Sequence, residues 1–179
     1  MRDKKNAAGS LPGSLYVMDF QGASSDVLFL YKLDHAGTRS RLFDAPTNWT
    51  VNQSPRHIIF GGGGDFGADL YVADNYTGNP QVWRIVSDGS MSKMFKSGKL
   101  NSLTSIRFGQ SGPFGNHMYI LDISKHQLLI ADAWRNTDVF ASKIDGTSFS
   151  DMVFSKDGRT LYLGLGDTVY AIKADKCLP

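Results

Sequence analysis

Aspartates that end short apolar and aromatic segments are the first candidates for chemistry in this sequence. Asp19, Asp74 and Asp122 close the segments LYVMD, LYVAD and MYILD. If these segments are equivalent strands, the carboxylates lie on one face of the fold and could bind calcium or a basic group. Alternatively, each short carboxylate accepts hydrogen bonds from backbone N–H groups at a turn. The sequence favours this second interpretation, because an aspartate that recurs at the same place in each segment indicates a structural requirement that the segments share.

Isolated histidines and tryptophans are the second set of candidates. His57 and His117 lie in or beside predicted strands near glycine-rich loops, so one of them could face a channel, although packed or solvated histidines are the default. Trp49 and Trp134 lie in or near loops and are candidates for an exposed binding contact. The sequence contains no H-x-H, H-E-x-x-H or G-x-S-x-G pattern. It therefore indicates neither a zinc-protease helix nor a nucleophile elbow.

A gapless internal repeat positions these candidates. Residues 60–74 read FGGGGDFGADLYVAD and residues 108–122 read FGQSGPFGNHMYILD. Both match F-G-x-x-G-x-F-G-x-x-φ-Y-φ-x-D, where φ is apolar. The glycine-rich part lacks the Gly-Lys-Ser/Thr ending of a phosphate loop and precedes no predicted helix, which argues against nucleotide binding. The repeat instead predicts a shared structural loop that packs a phenylalanine beneath the face of the fold.

The tyrosine of this repeat recurs at intervals typical of propeller blades. Tyr16, Tyr71, Tyr119 and Tyr162 are separated by 55, 48 and 43 residues, which bracket the roughly 40–50 residues of a four-stranded blade. Alternating apolar runs fill each interval, and turn signals such as SDGS and SKDG separate them. We therefore predict an all-β fold, a β-propeller-like array of about four antiparallel four-stranded blades. The first and last blades are expected to be incomplete. Residues 1–14 are predicted to be a flexible N-terminal tail, and residues 15–179 a partial β-propeller domain.

Composition excludes several classes of protein. The chain has 179 residues, and all 17 acidic residues are aspartate, with no glutamate. Because glutamate favours helices and aspartate favours turns and caps, this composition argues against an all-helical bundle. The net charge is +2 and the basic residues are scattered, so the basic patch of a nucleic-acid-binding protein is missing. No apolar stretch approaches the ~20 residues of a membrane-spanning helix.

The blade segments resemble those of NHL-repeat and gluconolactonase-like propellers of the six-bladed type. The matching stretches are LYVAD…VWRIVSDGS (70–90), MYILD (118–122) and DGRTLYLGLGDTVYAIKAD (157–175). The gluconolactonase resemblance implies a divalent metal at the channel mouth, held by one glutamate together with asparagine and aspartate oxygens. This chain departs from that pattern because it has no glutamate, although calcium accepts any carboxylate oxygen.

We therefore expect a non-catalytic propeller scaffold or binding module that contacts a protein or other ligand through its ring face. No catalytic residue and no cofactor is predicted. The alternative is a calcium-dependent, gluconolactonase-like hydrolase with calcium at the aligned aspartates.

The expected partners are a protein or the remaining blades of a larger propeller, since about three and a half blades leave sheet edges uncovered. Neither nucleic acid nor a membrane is expected. Three N-glycosylation sequons, at Asn48, Asn52 and Asn75, slightly favour an extracellular or periplasmic location.

Overall fold

The computed structural model describes residues 15–21, 27–34, 36–44, 55–75, 79–95, 98–109, 112–144 and 150–174. These residues form fourteen β-strands in four antiparallel sheets. The strands are β1 (Leu15–Gln21), β2 (Val27–Leu33), β3 (Arg39–Asp44), β4 (Pro55–Phe60), β5 (Leu70–Asp74), β6 (Gln81–Ile85), β7 (Met91–Lys93), β8 (Leu103–Phe108), β9 (Met118–Asp122), β10 (Gln127–Ala131), β11 (Thr137–Ser142), β12 (Ser150–Phe154), β13 (Thr160–Leu165) and β14 (Thr168–Lys173). None of the helical turns in these ranges has the length and apolar character that crossing a membrane requires.

Each sheet is a meander of consecutive strands and corresponds to one blade. Blade 1 contains β1–β3, blade 2 contains β4–β7, blade 3 contains β8–β11 and blade 4 contains β12–β14. Within the described ranges the two middle blades have four strands, and the first and last have three. The predicted all-β partial propeller with incomplete outer blades is thus confirmed. The predicted tail, residues 1–14, lies outside the described residues.

The second strands of the middle blades are apolar because both of their faces are covered. All five residues of β5 and all five of β9 are buried. One core cluster joins side chains of blade 2 to those of blade 3, and another joins blade 3 to blade 4. A strand that is covered on both faces has no solvent side, so LYVAD and MYILD show no strict alternation of apolar and polar residues.

Aspartates close several turns between strands, as their short side chains allow. Asp34 Oδ1 accepts hydrogen bonds from the N–H groups of residues 36 and 38, each at 2.9 Å. Asp88 accepts one from the N–H of Ser90 at 2.7 Å, and Asp157 accepts one from the N–H of Arg159 at 3.1 Å. The absence of glutamate therefore agrees with a chain whose acidic residues serve as turn caps.

The described parts of the two glycine-rich loops, in blades 2 and 3, are alike. Each contains a 3₁₀ turn, Gly64–Phe66 and Gly112–Phe114, which the sequence does not predict. Phe66 and Phe114 are buried, as predicted. The hydroxyl of Tyr71 donates to the carbonyl of Phe66 at 3.0 Å, and that of Tyr119 donates to the carbonyl of Phe114 at 2.7 Å. The repeated tyrosine thus fastens each loop to its second strand.

Candidate functional site

A polar cluster joins the first strands of three neighbouring blades. His57 lies on β4, Ser105 and Arg107 lie on β8, and Asp151 lies on β12. Ser105 Oγ donates to Asp151 Oδ1 at 2.7 Å and lies 3.4 Å from His57 Nδ1. Arg107 Nη2 donates to Asp151 Oδ2 at 2.9 Å, while its Nη1 contacts the His57 ring. These hydrogen bonds connect three sheets that have no strand pairing between them.

The imidazole of His57 is neutral in this cluster. The backbone N–H of Ile106 donates to His57 Nδ1 at 3.2 Å, which requires that nitrogen to be an unprotonated acceptor. Burial lowers the pKa of His57 to about 4, and the positive charge of Arg107 contributes in the same direction. Asp151 opposes this shift. Burial also lowers the pKa of Arg107, but a guanidinium keeps its proton at physiological pH.

The cluster contains serine, histidine and aspartate but not the geometry of a catalytic triad. In a triad the serine donates to the histidine, and the aspartate accepts from the other ring nitrogen. Here the Ser105 hydroxyl donates to Asp151, and Ser105 is buried. Asp151 also accepts from Arg107 and from the N–H of Met152, the latter at 2.7 Å. The arrangement can tie blades together, and it does not activate a nucleophile.

The sequence pattern predicts His57 as a site residue but does not predict its three partners, Ser105, Arg107 and Asp151. A signal was available, because aligning the first strands on their final phenylalanine places His57, Ser105 and Asp151 at one position, three residues earlier. The alignment could not show that these side chains meet, since their contact depends on how the blades pack.

Two of the three predicted metal-binding aspartates, Asp74 and Asp122, have structural partners. Asp122 is buried, and its two carboxylate oxygens accept the N–H groups of Asn101 at 2.8 Å and Ser102 at 3.0 Å. Asp74 is also buried and accepts the indole N–H of Trp83 at 3.3 Å. Asp19 lies on β1, opposite Phe29. Within the described ranges no three His, Cys, Asp or Glu side chains are grouped so that they could hold a metal ion. A metal at these aspartates stays a prediction.

His117 and Trp134 lie at the same end of blade 3. The backbone register aligns Phe108 with Met118, Met118 with Ala131 and Ala131 with Thr137. The glycine-rich loop that carries His117 and the 132–136 loop that carries Trp134 therefore project from one end of the sheet. His57 lies on a different blade, and Trp49 lies outside the described residues.

Asp132 organises the loop that presents Trp134. Its carboxylate accepts the backbone N–H of Asn136 at 2.9 Å and the side-chain amide of Asn136 at 2.7 Å. The N–H of Arg135 donates to the carbonyl of Asp132 at 3.2 Å. Burial alone would raise the pKa of Asp132, but the hydrogen bonds from Asn136 and from the backbone N–H of Trp134, with a smaller contribution from His117, together outweigh it, so the pKa is lowered. The anchored loop leaves 72% of Trp134 exposed.

Two pockets lie against this loop. One, of about 390 Å³, is bordered by His117, Asp132 and Phe140 among others. The other, the Trp134 groove, has a volume of about 700 Å³ and lies between blades 2 and 3. The Trp134 groove is lined by Lys93, Met94, Phe95, Lys99 and residues 134–138. It contains three basic side chains and one acidic side chain, Asp138.

Comparisons with known proteins identify the fold. No protein-family model matches the sequence, and no curated protein gives a significant match. Solved structures similar to the chain include a gluconolactonase from Xanthomonas campestris, with a TM-score of 0.68, 11% identity, and coverage of 92% of this chain and 55% of that one. A nidogen/laminin complex matches with a TM-score of 0.64, 12% identity, and coverage of 93% and 60%. An auxiliary nutrient binding protein from Bacteroides thetaiotaomicron matches with a TM-score of 0.62, 11% identity, and coverage of 91% and 39%.

These similarities fit the predicted gluconolactonase-like propeller and extend to the fold alone, because the identities are low. The chain spans 39–60% of the length of these three structures.

Proposed function

We propose that this chain is a non-catalytic binding propeller that contacts its ligand at the loop-bearing end of blade 3, with Trp134 as the anchor. The observation that carries the proposal is the exposed indole on a loop fixed by Asp132 and Asn136. A loop whose backbone is fixed before binding loses less conformational entropy when a ligand covers the side chain that it carries. Aromatic side chains of this kind dominate the binding energy of many interfaces.

The polar cluster of His57, Ser105, Arg107 and Asp151 supports binding over hydrolysis. Ser105 and Asp151 satisfy each other, and His57 is held between a backbone N–H and Arg107. A hydrolase of the calcium-dependent kind would need a metal with several oxygen ligands, and no observation on the described residues favours that alternative. The sequons make an extracellular or periplasmic setting part of the proposal.

The proposal includes a further propeller blade as a partner of blade 4. Tyr162 occupies the position of Tyr71 and Tyr119, whose rings contact Phe108 and Phe154 of the following blade at 5.1 and 5.4 Å. Tyr71 and Tyr119 are buried, whereas 39% of Tyr162 is exposed. A sheet of the same repeat would cover Tyr162 as the existing blades cover its two equivalents.

The experiment for the binding function uses an array of oligosaccharides and extended peptides. We expect ligands that bind the wild-type chain to lose at least about tenfold in affinity for Trp134→Ala, as for a hot-spot residue. Tyr170→Ala is the matched control, because Tyr170 is an exposed aromatic on blade 4. Retention of every ligand by Trp134→Ala would contradict the proposal.

A further inference from the structure

We infer that the Trp134 groove binds an acidic oligosaccharide, in which a uronate carboxylate meets Lys99 and Arg135 while a sugar ring stacks on Trp134. The inference deepens the proposed function, on which it rests, by naming the chemical class of the ligand.

The charge of the groove points to an anion. Lys93, Lys99 and Arg135 line it together with a single carboxylate, that of Asp138. The ammonium group of Lys93 lies 5.2 Å from the centre of the Trp83 ring. Over the part of the chain that the structure describes, neither Lys99 nor Arg135 is within ion-pair distance of a carboxylate. Basic side chains gathered in a concave site attract an anionic group and bind it through charge-assisted hydrogen bonds.

The backbone of the groove is arranged before a ligand arrives. Arg135 has a positive φ of 76°, and its N–H is bonded to the carbonyl of Asp132. The same loop fixes the backbone of Trp134, whose side chain borders the groove. A flat indole offers an apolar face to the C–H groups of a pyranose ring, and its N–H remains a hydrogen-bond donor.

The remaining lining favours a sugar over an acidic peptide. Asn136, Thr137 and Asp138 place amide, hydroxyl and carboxylate groups beside the basic residues. Sugar hydroxyls both donate and accept, so they can donate to Asp138 while the uronate accepts from the basic side chains. An acidic peptide carries no hydroxyl groups and has only its backbone N–H groups to donate to Asp138, whereas every sugar ring offers several donors. A volume of about 700 Å³ is within the usual range for pockets that hold small ligands.

The test is calorimetric titration with trigalacturonate. We expect binding to the wild-type chain and a loss of at least about fivefold in affinity for Arg135→Gln and for Lys99→Gln, as removal of a charge-assisted hydrogen bond implies. Lys156→Gln is the matched control, since Lys156 is an exposed lysine in a turn of blade 4 and should not affect binding. The fully methyl-esterified trisaccharide, which keeps the sugar rings and removes the charge, should bind at least about fivefold more weakly. Thermal melts check that each variant folds.

Four results would overturn the inference. The first two are that trigalacturonate does not bind, or that its methyl ester binds equally well. The other two are that Trp134→Ala binds trigalacturonate as tightly as the wild type, or that an oligo-aspartate peptide binds more tightly at this groove. The last result would identify an acidic peptide as the ligand and leave the binding function in place. The binding function itself fails separately, when no ligand of the array depends on Trp134.

Discussion

In the polar cluster on the first strands of the blades, the neutral imidazole of His57 lies beside the guanidinium of Arg107. His57 accepts the Ile106 N–H and contacts Arg107, whose charge is partly balanced by Asp151. Protonation of His57 would place two positive charges side by side and would put a proton on the nitrogen that accepts from the backbone. The cluster is therefore built for the neutral ring.

This arrangement predicts a loss of stability in acid that depends on His57. The pKa of His57 is about 4 in the folded chain, compared with 6.5 in the unfolded chain. Between these values the unfolded chain binds the additional proton, so the free energy of unfolding falls as the pH drops from about 6.5 to about 4. Urea unfolding at several pH values should show a smaller fall for His57→Gln than for the wild type. The same replacement at His126, outside the cluster, is the control. An equal fall in wild type and His57→Gln would contradict the prediction.

At the scale of the element, the glycine-rich loops explain why their motif recurs without gaps. A Cβ on Gly61 would lie 2.6 Å from the carbonyl oxygen of Gly67, and a Cβ on Gly109 would lie 2.2 Å from that of Gly115. Real Cβ atoms do not approach backbone oxygen so closely. The first glycine of the motif is thus required because the end of the loop passes close to its beginning, and not because the loop contacts a phosphate.

Gly109→Ala is therefore expected to destabilise the chain by about 1–3 kcal/mol or more, because backbone atoms rather than a mobile side chain must move. Gly164→Ala is the matched control, since its new Cβ would meet only one backbone oxygen at 3.9 Å and its φ is not in the left-handed region. Chemical denaturation of the two variants measures the difference. If Gly109→Ala is as stable as the wild type, the loop can move apart to accept the Cβ without lowering the free energy of unfolding, which would contradict the prediction.

Strand positions could be predicted more fully than the site. The segments LYVAD and MYILD coincide with β5 and β9, because turn residues and the repeat fix both ends. The 3₁₀ turns were not predicted, since they depend on how the returning chain closes over a buried phenylalanine. Exposure of Trp134 was predicted from its loop context, but the Trp134 groove was not, because it forms where residues of two blades meet.

At the scale of the whole molecule, one ring contact is repeated between successive blades. Tyr16 contacts Phe60 with ring centres 4.8 Å apart, and the equivalent tyrosines of blades 2 and 3 contact the next blade in the same way. On blade 4 the corresponding face carries Val153 and Tyr162, which are paired across β12 and β13. Both are exposed, as is Val169 on the neighbouring edge strand. An apolar face of this kind at the end of a stack favours association.

We expect the isolated chain to associate with increasing concentration through this face, because a second copy is then the available source of another sheet. Val153→Lys places a charge on the face and should shift sedimentation and light scattering toward the monomer. Val139→Lys is the matched control, since Val139 of blade 3 is similarly exposed, 52% compared with 58% for Val153. A wild-type chain that stays monomeric at every concentration, or equal association of both variants, would show that the face is stable in water without a partner. The association of Val153→Lys relative to Val139→Lys thus measures the contribution of the face directly, because the two changes add the same side chain to different blades.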